Sequence, residues 1–458
     1  MKHIFYKSLP LVLLLLQACA GTINTSDLVS EAIVIEEVKT KSFYSDRSIS
    51  GNIQNNWLYS FHDKRLNKLA KEALLNNLNL RVSALSIEEA VAQTKLASAA
   101  LKPSIGYNAG LSNASIGGNS ANAGFGASWQ PDVWGRVSAR VSSIKSTQKA
   151  IEADYAFAKQ SLVADVSKAW FLLIESSKQE QLAYQILKEY KATLKIVSVK
   201  FEVGQVLRKD LSQANADLNA AKDSHVQAKN SLVKSSRALE ILLGRYPKAE
   251  VTSKAQLPKL PKFPTTGVPA NLLERRPDLI AKEERIRSAF FATQEAELAR
   301  LPSFTLSIGG GLNNVNNLIG MLGAGLSGPI YTGGAIEAQI EGATATQKKV
   351  LASYQAVVLD AFRDVESTLH NEKVLKERLK ILSLAVKDYQ IAFNDTKVQY
   401  KLGQIELTLV QIQQRKLDAS RSTKLHIESL LLQNRVNMYL SLGGGFNNEN
   451  ALRKKGKR

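Results

Sequence analysis

One cysteine, three methionines and five histidines in 458 residues leave little material for metal, redox or disulfide chemistry. A single cysteine, Cys19, excludes an intrachain disulfide and any Cys-based metal centre. The histidines (His3, His62, His225, His370, His426) are scattered, with no pair at metal-ligand spacing, and so few methionines exclude a methionine ladder for soft metals. His225 falls in an apolar heptad row and reads as a partly buried helix-interface residue rather than a ligand. No Gly-Lys-Ser or Gly-Lys-Thr is present, which excludes a phosphate loop. Nothing suggests a Ser/His/carboxylate triad. The chain is therefore expected to be no enzyme and to need no cofactor.

Long hydrophobic runs are also missing. A membrane helix needs roughly 18 or more apolar residues, and only Leu9–Leu16 is continuously apolar in character. Flanked by Lys2 and Lys7, that stretch reads as a signal peptide over residues 1–18. Leu16-Gln17-Ala18-Cys19 resembles a bacterial lipobox, which implies cleavage before Cys19 and lipid on that residue, with Ala20 favouring the outer membrane. Residues 19–59 then read as a lipid-anchored linker. The net charge of +19 is spread along helical segments, apart from the tail Arg453, Lys454, Lys455, Lys457 and Arg458. A solvated face is the plain reading of dispersed charge, and no nucleic-acid partner is expected.

Proline and glycine are unevenly withheld. Val137 to Lys200 contains neither, enough for a helix about 96 Å long at 1.5 Å per residue. Leu162, Val166, Ala169 and Leu173 recur in steps of three and four, the spacing of a coiled coil. Gly204 breaks the pattern, and a returning helix carries Leu211, Leu218, His225, Leu232 and Leu239 beside the small row Ala214, Ala221, Ala228 and Ser235. Five of the eleven prolines (Pro247, Pro258, Pro261, Pro264, Pro269) instead crowd residues 246–275, a linker or irregular belt.

What is abundant is self-similarity. Leu80 and Leu279, Gly135 and Gly334, Gly204 and Gly403, and Gly244 and Gly443 are all 199 residues apart. That period is far longer than solenoid repeats of roughly 20–50 residues, so a domain-sized unit is duplicated. Each copy, 60–245 and 276–443, reads as helix, strand, strand, long helix, break, long helix. Residues 60–101 are expected to be helical. Strands are expected at about 103–113 and 120–130, where Ile105, Tyr107, Ala109 and Leu111 alternate with small or polar residues, and again at about 302–312 and 317–328. Gly323-Ala324-Gly325-Leu326-Ser327-Gly328 fits a dinucleotide pattern, yet it follows a strand and enters Pro329 rather than a helix. Glycines on the inner face of a barrel strand explain it better. Strands of about ten residues suit tilted bilayer crossing. Four cannot close a barrel, and open edges are not tolerated in lipid, so the chain must oligomerise. Residues 444–458 are expected to be a disordered basic tail.

Several motifs then resemble, in order, those of the TolC-type outer membrane factors of the lipoprotein branch. They are Asp132-Val133-Trp134-Gly135-Arg136, Glu274-Arg275-Arg276-Pro277-Asp278-Leu279, Gly328-Pro329-Ile330-Tyr331 with Gly333-Gly334, Tyr400-Lys401-Leu402-Gly403-Gln404, and Gln414-Arg415. The resemblance implies an α+β membrane protein that, as a homotrimer, forms a twelve-stranded outer-membrane β-barrel continuous with a periplasmic α-barrel. It implies a periplasmic adaptor protein and an inner-membrane efflux pump as partners, and export of small toxic compounds or drugs. The same fold serves type I protein secretion. From a different class, a structural coiled-coil envelope lipoprotein would have the helices without membrane strands. By the same resemblance the periplasmic constriction falls on Thr408 and Ile412 with Gln411 beside them, beyond the aperture breaks Gly204 and Gly403. Many relatives carry aspartate where this chain has Ile412, so closure here would exclude water rather than bind cations. The hypothesis for a latch is Tyr400, Gln404 and Arg415 against Asp210 or Asp217.

Overall fold

A computed structural model describes residues 55–114, 118–253, 256–264, 271–312 and 318–446. The signal segment, Cys19, most of the linker and the basic run at the C-terminus lie outside the described residues. After a 3-10 turn at Trp57–Phe61, the elements run α1 (Lys64–Asn76), α2 (Leu78–Ala99), β1 (Ser104–Ala114), β2 (Gly118–Trp129), α3 (Arg136–Glu202) and α4 (Arg208–Leu242). The second copy follows a short α5 (Asn271–Arg275) with α6 (Pro277–Leu298), β3 (Ser303–Leu312), β4 (Leu318–Ser327), α7 (Ala335–Lys401) and α8 (Leu407–Ser441). The helices α2, α3 and α4 have 22, 67 and 35 residues, and α6, α7 and α8 have the same lengths. The duplication thus preserves the length of these three helices to the residue.

Three expectations are corrected. The helix expected over 60–101 is broken at Asn77, which ends α1 and starts α2. Its Oδ1 accepts from Leu80 N at 2.9 Å, and its Nδ2 donates to Leu242 O at 2.9 Å. A side chain that satisfies one helix start and another helix's last turn favours a bend over a straight run. The linker expected to reach residue 59 ends earlier: Trp57 is buried and stacks on Tyr439, with ring centres 5.5 Å apart. The tail expected from 444 begins later, because Asn56 N donates to Gly445 O at 2.7 Å and Phe446 is buried. The two ends of the described chain are paired with each other.

The core lies at the waist of the long helices. Trp57, Phe61, Leu66, Trp170, Phe171, Leu239, Val436 and Tyr439 form one buried cluster. Asp63 holds its edge by two means. Oδ1 accepts from Arg65 N and Leu66 N at 2.8 and 3.0 Å, capping α1, while Oδ2 accepts from the Trp170 indole at 2.7 Å. Asp63→Ala removes a cap and orphans a largely buried indole donor, and should cost about 2–3 kcal/mol. Thermal unfolding of the variant beside Asp63→Asn, which keeps an acceptor, measures it.

Of the proline-rich stretch, the described residues 246–253 and 256–264 form an irregular strap on this waist, and 271–275 are helical. Glu240 on α4 accepts from the backbone N–H groups of Ala249, Glu250 and Val251 at 2.7, 2.6 and 3.0 Å. Burial pushes the pKa of this carboxyl up, but these three donors and Arg245 outweigh burial and hold it below the usual carboxylate range.

At the other end, the strands form one antiparallel sheet in the order β1-β2-β3-β4. The register sets Tyr107 opposite Phe125, Ala127 opposite Ile308, and Ile308 opposite Leu322. The apolar sets of four strands therefore share one face, and Ser, Thr, Gly and Asn, with Met321, share the other. Tyr107 and Leu111 are 90% and 89% exposed on that apolar face. Gly323 and Gly325 lie in β4 on the small-residue face, as their pattern implied. The sheet rules out a purely helical envelope bridge. Among the described residues no helix is long and apolar enough to cross a membrane.

Candidate functional site

The far tips of the long helices, around Gly204 and Gly403, are the candidate site. Each break closes the same way. Gly204 (φ 71°) and Gly403 (φ 77°) take the left-handed conformation that ends a helix. Gln205 N then donates to Lys200 O at 2.8 Å, and Gln404 N to Gln399 O at 3.0 Å. Asp210 Oδ2 accepts from Leu207 N at 3.0 Å and caps the start of α4. The glycine and the residue after it form the turn through backbone groups alone.

Behind the two turns, Val197, Ala214, Phe393, Tyr400, Leu407, Val410 and Leu417 pack into one apolar cluster. Lys200 bridges the hairpins, its Nζ 4.2 Å from the centre of the Tyr400 ring. The expected latch residues are only partly brought together. Arg415 Nη1 lies 3.7 Å from Asp217 Oδ1, which also accepts from Gln213 at 3.0 Å. The Tyr400 hydroxyl is buried without a hydrogen-bond partner among the described residues. Burial, then the nearby Asp210 charge, push its pKa up. Gln404 contributes its backbone rather than its side chain. Thr408 is exposed and Ile412 half-buried, whereas Gln411 is only 2% exposed and turns inward. Of the three expected constriction residues, Gln411 is thus enclosed within the chain, while Thr408 and Ile412 keep surface exposed.

Sequence reasoning missed the seam between the hairpins. On α8, Gln411, Gln414, Asp418, Ser422 and His426 recur at helical spacing and include the contacts with α3. Gln414 Nε2 donates to Glu189 at 3.2 Å, Ser422 and Gln179 exchange two bonds of 2.9 Å, and His426 Nδ1 sits 2.8 Å from Glu175. The signal was available as a polar stripe at i, i+3, i+7 beside the apolar row. His225 makes the matching contact from α4, 2.9 Å from Glu180, in keeping with its interface reading.

The shared motifs have structural work at the sheet end and the waist. Asp132 accepts from Val137 N and Ser138 N at 2.9 and 2.7 Å and starts α3, while the Trp134 indole donates to Pro302 O at 2.7 Å. Buried Arg276 forks onto Asp278 and reaches Ser441 O. The Trp134 contact joins the first copy to the second at the sheet end, and the Arg276 contacts tie the start of the second copy to its last helix.

Comparison with known proteins now decides the family. The outer membrane efflux protein family matches residues 69–245 and 268–444, one block for each copy. The chain belongs to that family. It is 26% identical to the cation efflux system protein CusC of Escherichia coli over 415 residues, covering 86% of this chain and 89% of the relative. It is 26% identical to the pyoverdine export outer membrane protein OpmQ of Pseudomonas aeruginosa over 431 residues, covering 88% and 90%. Its fold superposes on the Campylobacter jejuni CmeC outer membrane channel with a TM-score of 0.83 at 22% identity, over 91% of this chain and 94% of that one. The open state of the Neisseria gonorrhoeae MtrE outer membrane channel gives 0.77 at 26% identity, over 89% and 96%. This protein is an outer-membrane efflux channel, and the four-stranded sheet is the part of it suited to lipid.

Proposed function

We propose that the chain works as a homotrimeric exit duct of a tripartite system, with the tips of α3, α4, α7 and α8 as its periplasmic aperture. One observation carries the trimer: the two copies are equal in sequence plan but unequal in cover. α6 packs on both α3 and α7, and α8 packs on both α7 and α3, whereas α2 and α4 each pack chiefly on α3. Accordingly α3 has nineteen buried residues and α7 nine. The open faces, Leu78, Val82 and Leu85 on α2 and Leu359, Ile381 and Ile391 on α7, are what a neighbouring copy would cover head to tail. Three copies would close four strands each into a twelve-stranded barrel without edges, its apolar face outward.

The fitting partners are a periplasmic adaptor and an inner-membrane pump, with Cys19 carrying the lipid that tethers the N-terminus to the outer membrane. Small toxic compounds are the cargo this arrangement suits, the relatives being named for cations, pyoverdine and toluene. Thr408 and Ile412 would form the constriction, with Gln411 backing it from inside the helix bundle. Arg415 and Asp217 would hold the tip shut, and Tyr400 would do so by packing rather than through its hydroxyl. Planar-bilayer conductance tests this. Arg415→Ala and Ile412→Ala should each raise resting conductance several-fold, and unchanged closure in both removes the latch.

A further inference from the structure

The seam between α3 and α8 has one rung that differs from the rest. Gln414, Ser422 and His426 each find a partner on α3, but both carboxylate oxygens of Asp418 are buried without a hydrogen-bond partner among the described residues. The Asp418 side chain is 11% exposed, and the cation it pairs with is Arg421, at 3.8 Å. Arg421 is itself shared, since its other Nη donates to Gln390 of α7. Facing Asp418 from α3 are a second carboxylate, Glu189, and the buried phenol Tyr190. A buried carboxylate that meets another carboxylate and lacks donors is comfortable only when protonated.

We propose that Asp418 is a proton-operated clasp on the aperture: neutral, it packs between the hairpins and lets the tip close; ionised, it repels Glu189 and drives α8 away from α3. The inference rests on the channel reading and adds a regulator to it. Geometry sets the direction. The seam is polar, so parting it exposes hydrogen-bonding groups that water can satisfy, and a single charge has leverage there.

Burial first and Glu189 second, opposed by Arg421, raise the Asp418 carboxyl to about 7. With the seam parted, Asp418 would stand in water and titrate in the ordinary carboxylate range. The closed tip then binds a proton that the open tip lacks. Closure is fully favoured at low pH, loses ground as pH rises from that range, and has lost the whole contribution above about 7. Other groups surround the site. On α8 there are Arg415 and Lys416, the latter over the Tyr389 ring of α7; on α4 there is Asp217, paired with Arg415. Further along, His426 lies 2.8 Å from Glu175 and His225 lies 2.9 Å from Glu180.

The test is steady conductance of the full-length lipidated assembly in planar bilayers between about pH 5.5 and about pH 8, a window centred on the histidine and raised-carboxylate range. Wild type should conduct more at the alkaline end, by on the order of tenfold. Asp418→Asn, neutral at every pH, should stay at the low level throughout. Glu189→Gln should move the midpoint to lower pH, and His426→Gln should leave it in place. Heat-resistant bands in detergent gels establish that each variant assembles; should Asp418→Asn fail to assemble, the Glu189→Gln midpoint carries the test. A step that persists in Asp418→Asn, a midpoint unmoved in Glu189→Gln, or measurable but pH-independent wild-type conductance overturns the clasp. An assembled wild type that passes no current at any pH overturns the channel reading instead.

Discussion

Replacing Arg435 with alanine should cost about 3–5 kcal/mol, the range for removing one partner of a buried ion pair. Arg435 has no exposed side-chain surface, and its guanidinium donates to Glu372, itself buried, and to the carbonyls of Pro261 and Lys262 at 2.5 and 2.7 Å. Its planar fork also lies 5.5 Å from the Phe263 ring centre. One side chain on α8 thereby staples the proline-rich strap to α7. Without it, Glu372 keeps Lys376, at 2.9 Å, and a long bond from Asn434 Nδ2, at 3.5 Å, and two strap carbonyls lose their donor. Thermal denaturation in detergent should show the loss, and proteolysis should begin at the strap, where Lys259 and Lys262 are within reach of trypsin. Arg435→Lys should recover little, because a point charge cannot serve a carboxylate and two carbonyls in one plane. A double change of Arg435→Met with Glu372→Met should be milder than Arg435→Ala alone, since no buried charge is left unpaired.

Gly311→Val should have the second large effect, and at the opposite end of the molecule. A Cβ at Gly311 would lie 2.5 Å from Ala123 O and 2.8 Å from the Cα of Gly124, both backbone atoms of the neighbouring strand. Backbone in a paired ladder cannot swing aside as a side-chain tip can. The pairing of β2 with β3 is the only place where the strands of the two copies meet within one chain, so the hairpins would part there. Overpacking of this kind costs about 1–3 kcal/mol per site, and three copies of the strain would act on one barrel. Heat-resistant assembly in membranes should fall sharply. Gly106→Val is the control, since a Cβ there meets nothing within 4 Å. Equal loss in both variants would mean that strand glycine as such, rather than this close approach, matters.

Local chemistry was legible wherever it is written in spacing. The breaks at Gly204 and Gly403, the strand pairs and the equal helices of the two copies follow from a period of 199 residues and from where glycine and proline fall. Those signals depend on backbone conformation and on side-chain alternation, which neighbouring residues decide. Asn77 was harder, because an asparagine inside an apolar pattern breaks a helix only if its amide finds partners, and one of them is Leu242 on a distant helix. The fate of the ends was hidden for the same reason: Trp57 is ordered by Tyr439, hundreds of residues away.

The candidate site divides along the same line. Arg415 could be matched with Asp217 as opposite charges near the same break, and they do approach. Tyr400, Gln404 and Gln411 could be placed at the tip, but which way each faces depends on the rotation of α8 against α3 and α7. A polar residue on a helix reads the same in sequence whether it meets water, a lumen or another helix. Asp418 shows the cost of that ambiguity: its charge in the sequence resembles that of any solvated coiled-coil face. Sequence alone thus determined the duplicated plan and the strand alternation, because these rest on local period and composition, and its motifs, taken in order, carried the family resemblance. Tertiary structure alone decided which polar groups are enclosed, and with them the strap's anchor at Arg435 and the seam at Asp418, because burial of a charge is a property of what packs against it.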